Sequence, residues 1–245
     1  MNHYKINFLF KNKDADTEEI NDTLYWYLGC LYKNGNALRD YKLVKKEDRY
    51  EAYITIYEHY PPLKDESNKY IEQYEVELRN IFDITWEFLG ELDGYNEVCT
   101  CEQPGSYLMY TTQYDEEYLI LCGDCGGMVP LYRLPYLDDR AEEYLDLLGW
   151  NECYRSVDKI WLHAPNETME RYAVYQLHNP KSPLSVLGRD FCKQIEEKTG
   201  TPTYYYLFNN IKRHKVCPQC HQPWREEDDG IADYFCDDCR LATDQ

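Results

Sequence analysis

Two cysteine pairs, Cys217-Pro-Gln-Cys220 and Cys236-Asp-Asp-Cys239, are separated by fifteen residues, and nothing else in the sequence limits the fold so strongly. Four thiols at that spacing match the donor set of a tetrahedral zinc site. Trp224, Tyr234 and Phe235 supply the few large aromatic groups that so small a unit can pack, too little to close a core unaided. The metal must therefore supply most of the folding free energy of such a ribbon. A catalytic zinc keeps one position open for water, whereas four thiolates close the tetrahedron, so the ion reads as structural. His221 adjoins Cys220 and is a donor that could substitute, but four cysteines already complete the set.

A second constellation precedes it. Cys99-Thr-Cys101 is followed, twenty residues later, by Cys122-Gly-Asp-Cys125-Gly-Gly. The intervening runs "SYLMYTT" and "EYLILC" read as two short strands. A hairpin leading into a Cys-x-x-Cys turn presents thiolates to a metal, with Gly126 and Gly127 able to take unusual dihedrals. The Cys-x-Cys spacing of the first pair departs from that pattern. A redox dithiol at Cys122 and Cys125, or a set of free buried thiols, remains the alternative. The chain has eleven cysteines, an odd number that fits a disulfide framework poorly. Cys30, Cys153 and Cys192 lie in apolar periodic stretches and read as buried thiols. The expectation is two structural Zn²⁺ ions per chain.

The fold class expected is α+β. Residues 1–94 read as a small sandwich in β-α-β-α-β order. Its strands are the alternating Tyr4, Ile6, Phe8 and Phe10, then 50–58, then 84–92. One helix, with Asp16 and Glu19 as a capping box, carries Ile20, Leu24, Tyr27, Leu28 and Leu31 and ends at Gly35. Pro61 and Pro62 break the chain, and Ser67 or Asn68 caps a second helix whose stripe is Ile71, Tyr74, Leu78, Ile81 and Phe82. Residues 95–137 form the inserted zinc-binding hairpin unit, 138–210 a mainly helical segment, and 211–245 the C-terminal zinc ribbon. In the helical segment, helices are expected from Asp138 to Trp150, over 154–164, from Met169 to His178, and from Ser185 to Gly200. A strand "PTYYYLF" follows.

The stretches "GDCGGMVPLYRLP" (123–135), "LSVLGRDFCKQIEEKTGTPTYYYLF" (184–208) and the closing "CPQC…W…FCDDCRL" together resemble a bacterial family of uncharacterised zinc-ribbon-containing proteins, described as candidate nucleic-acid binders. The resemblance covers residues 95–245 well and the first 94 more loosely. It implies zinc at Cys217, Cys220, Cys236 and Cys239 and also at the earlier cysteines. It implies no catalytic residue.

Charge narrows the function. Lys and Arg number 26 against 45 Asp and Glu, a net charge of −19, and each of the four segments is acidic on its own. Metal-bound thiolates deepen this by about two charges per site. Such a field repels nucleic acid, whose non-specific affinity comes from cations that neutralise phosphates. The run Lys212-Arg213-His214-Lys215 and the aromatic Trp224 are the candidate contacts of a nucleic-acid reading. No H-E-x-x-H, G-x-S-x-G or phosphate loop appears, so neither an enzyme nor a small-molecule substrate is indicated. Arg133, Arg155 and Arg189 read as ion-pair residues before an anion site. The chain has 26 Tyr against 7 Phe, and tyrosine anchors protein interfaces. Tyr27, Tyr53 and Tyr74 are expected instead at core edges. The favoured reading is a non-enzymatic recognition protein for a basic protein, such as a nucleic-acid-binding enzyme or a toxin neutralised in the manner of an immunity protein. Binding of nucleic acid is the alternative. The sequence shows neither a basic leader with an apolar run nor an apolar stretch of about 18 residues, so a cytoplasmic location without membrane contact is expected.

Overall fold

The computed structural model describes residues 1–12, 17–57, 68–93, 97–114, 119–138, 142–209, 214–227 and 230–244. The suggested caps Asp16 and Ser67, the breakers Pro61 and Pro62, and the basic residues Lys212 and Arg213 lie outside them.

Strand β1 (Asn2–Phe10) buries Tyr4, Ile6 and Phe8 and turns Lys5 and Asn7 outward, as strict alternation demands. Helix α1 (Thr17–Lys33) lays Ile20, Leu24, Tyr27, Leu28 and Leu31 into the same core, all of them buried. Helix α2 (Lys69–Ile81) starts at Asn68, whose side chain accepts the Tyr70 N–H at 2.8 Å. The remaining strands are β2 (Lys42–Lys45), β3 (Arg49–Ile56) and β4 (Phe82–Glu91). Their order is β2-β3-β1-β4 with every neighbour antiparallel. This is the β-α-β-β-α-β, ferredoxin-like arrangement.

The expected β-α-β-α-β order thus lacked a strand. Strand β2 is a four-residue edge whose side chains are largely exposed, so its sequence, Lys-Leu-Val-Lys, has no buried face to betray it. Phe82, expected on the stripe of α2, instead opens β4. There it is fully buried among Phe8, Phe10 and Tyr50, with ring centroids 4.8 to 6.2 Å away.

Glu51, on the outer face of β3, is 2% exposed at its side chain. It accepts Lys46 at 2.6 Å, Arg49 Nε at 2.8 Å and the Tyr53 hydroxyl at 3.2 Å. The Lys46 and Arg49 hydrogen bonds hold its carboxyl down to about 2. A depressed folded-state value stabilises above the unfolded carboxylate range near ~4.3 and is lost as pH falls towards 2. Glu51→Gln should therefore lower stability at neutral pH and flatten its decline between about pH 5 and 2 in urea titrations.

The chain divides into two compact units. The first is Met1–Val98 with Pro130–Tyr132 and Asp138–Tyr144; the second is Cys99–Val129, Arg133–Leu137 and Leu145–Gln245. Of the helix expected from Asp138, the described residues Asp138 and Glu142–Tyr144 are not helical, and residues 139–141 lie outside the described ones. Glu142 has φ 50°, and its carbonyl accepts the Asn68 side-chain N–H at 2.8 Å. The Tyr144 N–H donates to Lys33 at 2.9 Å, and Tyr144 is buried. These tertiary bonds outweigh the helical propensity of residues 142–144. Helix α3 begins at Leu145 and continues through Gly149 to His163, one helix in place of two.

Helix α4 (Glu167–His178) is capped by Asn166, and α5 (Pro183–Thr199) by Ser182, with Gly200 in the left-handed region at its end. Strands β5 (Tyr107–Met109), β6 (Ile120–Cys122), β7 (Thr203–Tyr206), β8 (Arg225–Glu226), β9 (Tyr234–Cys236) and β10 (Leu241–Thr243) form one sheet. Its order is β6-β5-β7-β10-β9-β8, with the β5–β7 and β7–β10 pairs parallel. Strands from the hairpin segment, the middle segment and the ribbon are thereby joined. Tyr205 on β7 is fully buried, with Trp150 edge-on at 6.0 Å. Gly188 of α5 sits so close that an added methyl would lie 2.5 Å from the Tyr205 ring and 2.8 Å from the Trp150 ring.

Candidate metal centres

Among the described residues, two groups of side chains could hold a metal ion: Cys99, Cys101, Cys122 and Cys125, and Cys217, Cys220, Cys236 and Cys239. Within each group all four Sγ atoms lie within 4.8 Å of one another. A tetrahedron with metal–sulfur bonds of about 2.3 Å has edges of about 3.8 Å. The Cys220 and Cys236 sulfurs are 3.5 Å apart. The donor sets therefore fit a tetrahedral, thiophilic ion. Such a ion requires thiolates, whereas without one burial pushes Cys99 up to about 12 and Cys236 up to about 11. Occupation of either site must release protons.

The local backbone is built for the purpose. Each of the three Cys-x-x-Cys turns places the residue after its second cysteine in the left-handed region: Gly126 at φ 68°, His221 at 63° and Arg240 at 50°. That conformation closes the turn and aims N–H groups inward. Cys101 N–H and Gly127 N–H approach the sulfurs of Cys99 and Cys125 at 3.4 Å. The Gly126 N–H donates to Cys122 at 2.9 Å and the His221 N–H to Cys217 at 2.8 Å.

Only the first turn uses glycine for this. His221 is exposed and its backbone is strained, which identifies a backbone role for a residue whose ring could have been a ligand. His221→Gly should leave the metal content unchanged and alter stability by less than about 1 kcal/mol. Relief of the left-handed strain would offset the added freedom of the unfolded chain. Loss of one metal equivalent in that variant would make the imidazole a ligand.

Surrounding contacts fix the second centre to the sheet. Tyr204 on β7 donates its hydroxyl to Asp237 at 2.6 Å. Arg225 bridges Asp237 at 3.1 Å and Glu227 at 2.8 Å, with its guanidinium 5.0 Å from the centre of the Phe235 ring. Arg240 grips Glu196 of α5 at 2.8 Å and draws its carboxyl below the usual range. At the first centre, the Arg133 guanidinium donates to the Cys99 carbonyl. Cys122 ends β6 and Cys236 ends β9, so the two centres flank the intervening strands β5, β7 and β10.

Other expected residues separate by place. Lys215 is exposed, while Trp224 is half-buried and donates its indole N–H to the His214 carbonyl at 2.8 Å. His214 in turn stacks on His178 of α4 with centroids 4.0 Å apart. Arg133, Arg155 and Arg189 each reach a backbone carbonyl, of Cys99, Thr112 and Pro180 respectively, and Arg155 also lies 3.9 Å from Glu152. Cys30 and Cys192 are buried as expected, and burial pushes the Cys30 thiol up to about 11. Cys153 is not: it is exposed on α3. The 3.6-residue apolar pattern that suggested its burial belongs to a face that the fold leaves uncovered. The left-handed position at Arg240 had no sequence signal, because arginine does not favour it, and the enrichment of histidine in that region gives only a weak signal at His221.

A small α+β protein with two tetrathiolate groups on one sheet is the class that this geometry defines. Residues 101–208 match a domain of unknown function, DUF2310. Two uncharacterised proteins of Haemophilus influenzae are each 30% identical to the chain over 162 residues, 62% of its length. The match spans 77% of one and 60% of the other. The chain belongs to this family of uncharacterised bacterial proteins. No solved structure matches it. No helix among the described residues is long and apolar enough to cross a membrane.

Proposed function

We propose that this protein is a non-enzymatic recognition protein whose two zinc ions brace one sheet and whose acidic surface engages a basic protein. The observation that carries the reading is that each group offers four thiols whose sulfurs lie within 4.8 Å of one another. A cation held there has no position left for water or substrate. The metal chemistry is then spent on shape, and catalysis would need a nucleophile–base pair elsewhere. Recognition is left as the use of a chain with net charge −19. Such a field steers a cationic protein inward and raises its association rate. Trp224 supports the same choice, because its bond to His214 gives it a packing role inside the ribbon.

Elemental analysis should return two zinc ions per chain; a single equivalent would remove the centre at Cys99–Cys125. Single- and double-stranded DNA and RNA should bind no tighter than about 10⁻⁴ to 10⁻⁶ M at ~0.15 M salt. Submicromolar binding abolished by changing Lys212, Arg213 and Lys215 together would replace this reading by the nucleic-acid one.

A further inference from the structure

Helices α3, α4 and α5 leave an open groove of about 1050 Å³ on the second unit. Its floor is Trp150, Leu184 and Phe191, all buried beneath the opening. The walls carry apolar groups that face solvent: Leu145 is 50% exposed, Leu187 47% and Tyr172 55%. The α3 side is low, because Gly149, Cys153 and Val157 recur every fourth residue along it. A side chain built at Gly149 would meet nothing within 4 Å. Where α3 and α5 do meet, at Trp150 and Gly188, they pack tightly, and the Trp150 indole N–H bonds the Leu184 carbonyl at 2.9 Å. The groove is thus a formed feature between helices that are pinned at its base.

Its charge is one-sided. Asp146, Glu152 and Asp190 line it, and no lysine or arginine does among the described residues. Asp146 and Asp190 are exposed at opposite walls, on α3 and α5. An apolar floor with carboxylates on both rims fits an amphipathic helix whose apolar stripe lies in the groove while lysines or arginines flank it. The lining of α3 from Leu145 to Val157 spans about 18 Å at 1.5 Å per residue, three to four turns of such a helix.

We propose that this groove is the docking site for a basic amphipathic helix of the partner protein. The proposal rests on the protein-recognition reading and specifies its site. The anchors would be leucine-sized side chains at i, i+3/i+4 and i+7 against Trp150 and Phe191, and the specificity would come from the acidic rims.

The test uses the full chain with its metals bound and three synthetic peptides of about fourteen residues. One is a Leu/Lys sequence with leucines on a single helical face, one is its scrambled isomer, and one is the amphipathic sequence with Gln in place of Lys. Fluorescence anisotropy at ~0.15 M salt should give at least about tenfold tighter binding for the first peptide than for either control. Gly149→Leu fills open space and favours the helix, so its melting temperature should hold or rise while binding falls at least about tenfold. Asp190→Lys should weaken the lysine peptide and leave the glutamine peptide unchanged.

Equal binding of the first peptide and its scrambled isomer, unaffected by Gly149→Leu, would overturn the groove and leave protein recognition standing. Equal binding of the lysine and glutamine peptides would overturn the basic partner. A dimer of the wild-type chain in sedimentation that Gly149→Leu dissociates would assign the groove to a second copy and overturn the proposal. Absence of peptide binding together with submicromolar nucleic-acid binding would defeat both this site and the reading beneath it.

Discussion

Replacing Cys236 with serine should remove one of the two metal ions proposed above and loosen the whole second unit rather than the ribbon alone. Structural zinc contributes about 10–16 kcal/mol in small peptides at neutral pH, so a site that loses one thiolate loses most of its hold. The effect should spread because β10 is shared. Leu241 pairs with Cys236 on one side and with Tyr205 on the other. The Tyr205 and Leu207 amides donate to the Arg240 and Ala242 carbonyls at 2.9 and 2.8 Å. When β9 and β10 come away, those amides lose their acceptors. Hydrogen exchange should therefore show the Tyr205 and Leu207 amides losing protection in step with the ribbon, while β1 to β4 stay protected. Unchanged protection at β7 in a chain that has lost the metal would mean that the ribbon folds as an independent appendage.

Phe82→Ala should act in the other unit. The ring is fully buried and meets Phe8, Phe10 and Tyr50 at centroid distances of 5.8, 4.8 and 6.2 Å. Truncation of a buried phenylalanine costs about 3–5 kcal/mol, a large part of the stability of a domain this small. None of the eight candidate ligand cysteines belongs to that unit. Urea unfolding followed at β1–β4 should shift to much lower denaturant, and metal content should stay at the wild-type value. A cost below about 1 kcal/mol would show that the aromatic cluster repacks around the gap.

The cysteine spacing made both candidate centres legible because a tetrahedral thiolate site draws its ligands from closely spaced cysteine pairs, three of them here in four-residue turns. Helices with a wide apolar stripe were equally plain, as α1, α2 and α5 show, and Asn68 of α2 was one of the two caps expected there; α5 begins earlier than expected, at Pro183, with Ser182 and not Ser185 as its cap. Strand β2 escaped because an exposed edge has no alternation to read. Residues 142–144 misled because their conformation depends on Asn68 and Lys33, far away in sequence. Phe82 satisfied both a helical stripe and a strand, and packing chose the strand. Pairing of β5 with β7, and of β7 with β10, joins residues such as Tyr107 with Thr203 and Tyr205 with Leu241. Three- and four-residue strands have no periodicity that encodes such partners. The groove was least visible of all, since it is a space between helices rather than a motif.

The placement of β10 between β7 and β9 also sets the order in which a growing chain can be finished. Synthesis from the amino end supplies the first sheet with all of its strands by Glu91, before any of the second sheet exists. The second sheet has β5 early, waits for β7, and cannot cover the far edge of β7 until Leu241–Thr243 emerge. During that interval Tyr204 and Tyr205 border an open parallel edge, the kind of surface on which neighbouring nascent chains stick to one another. With a metal held at those late cysteines, as proposed above, the rate of its capture would decide the yield of folded protein, and metal supply during translation would become a variable of production as well as of stability.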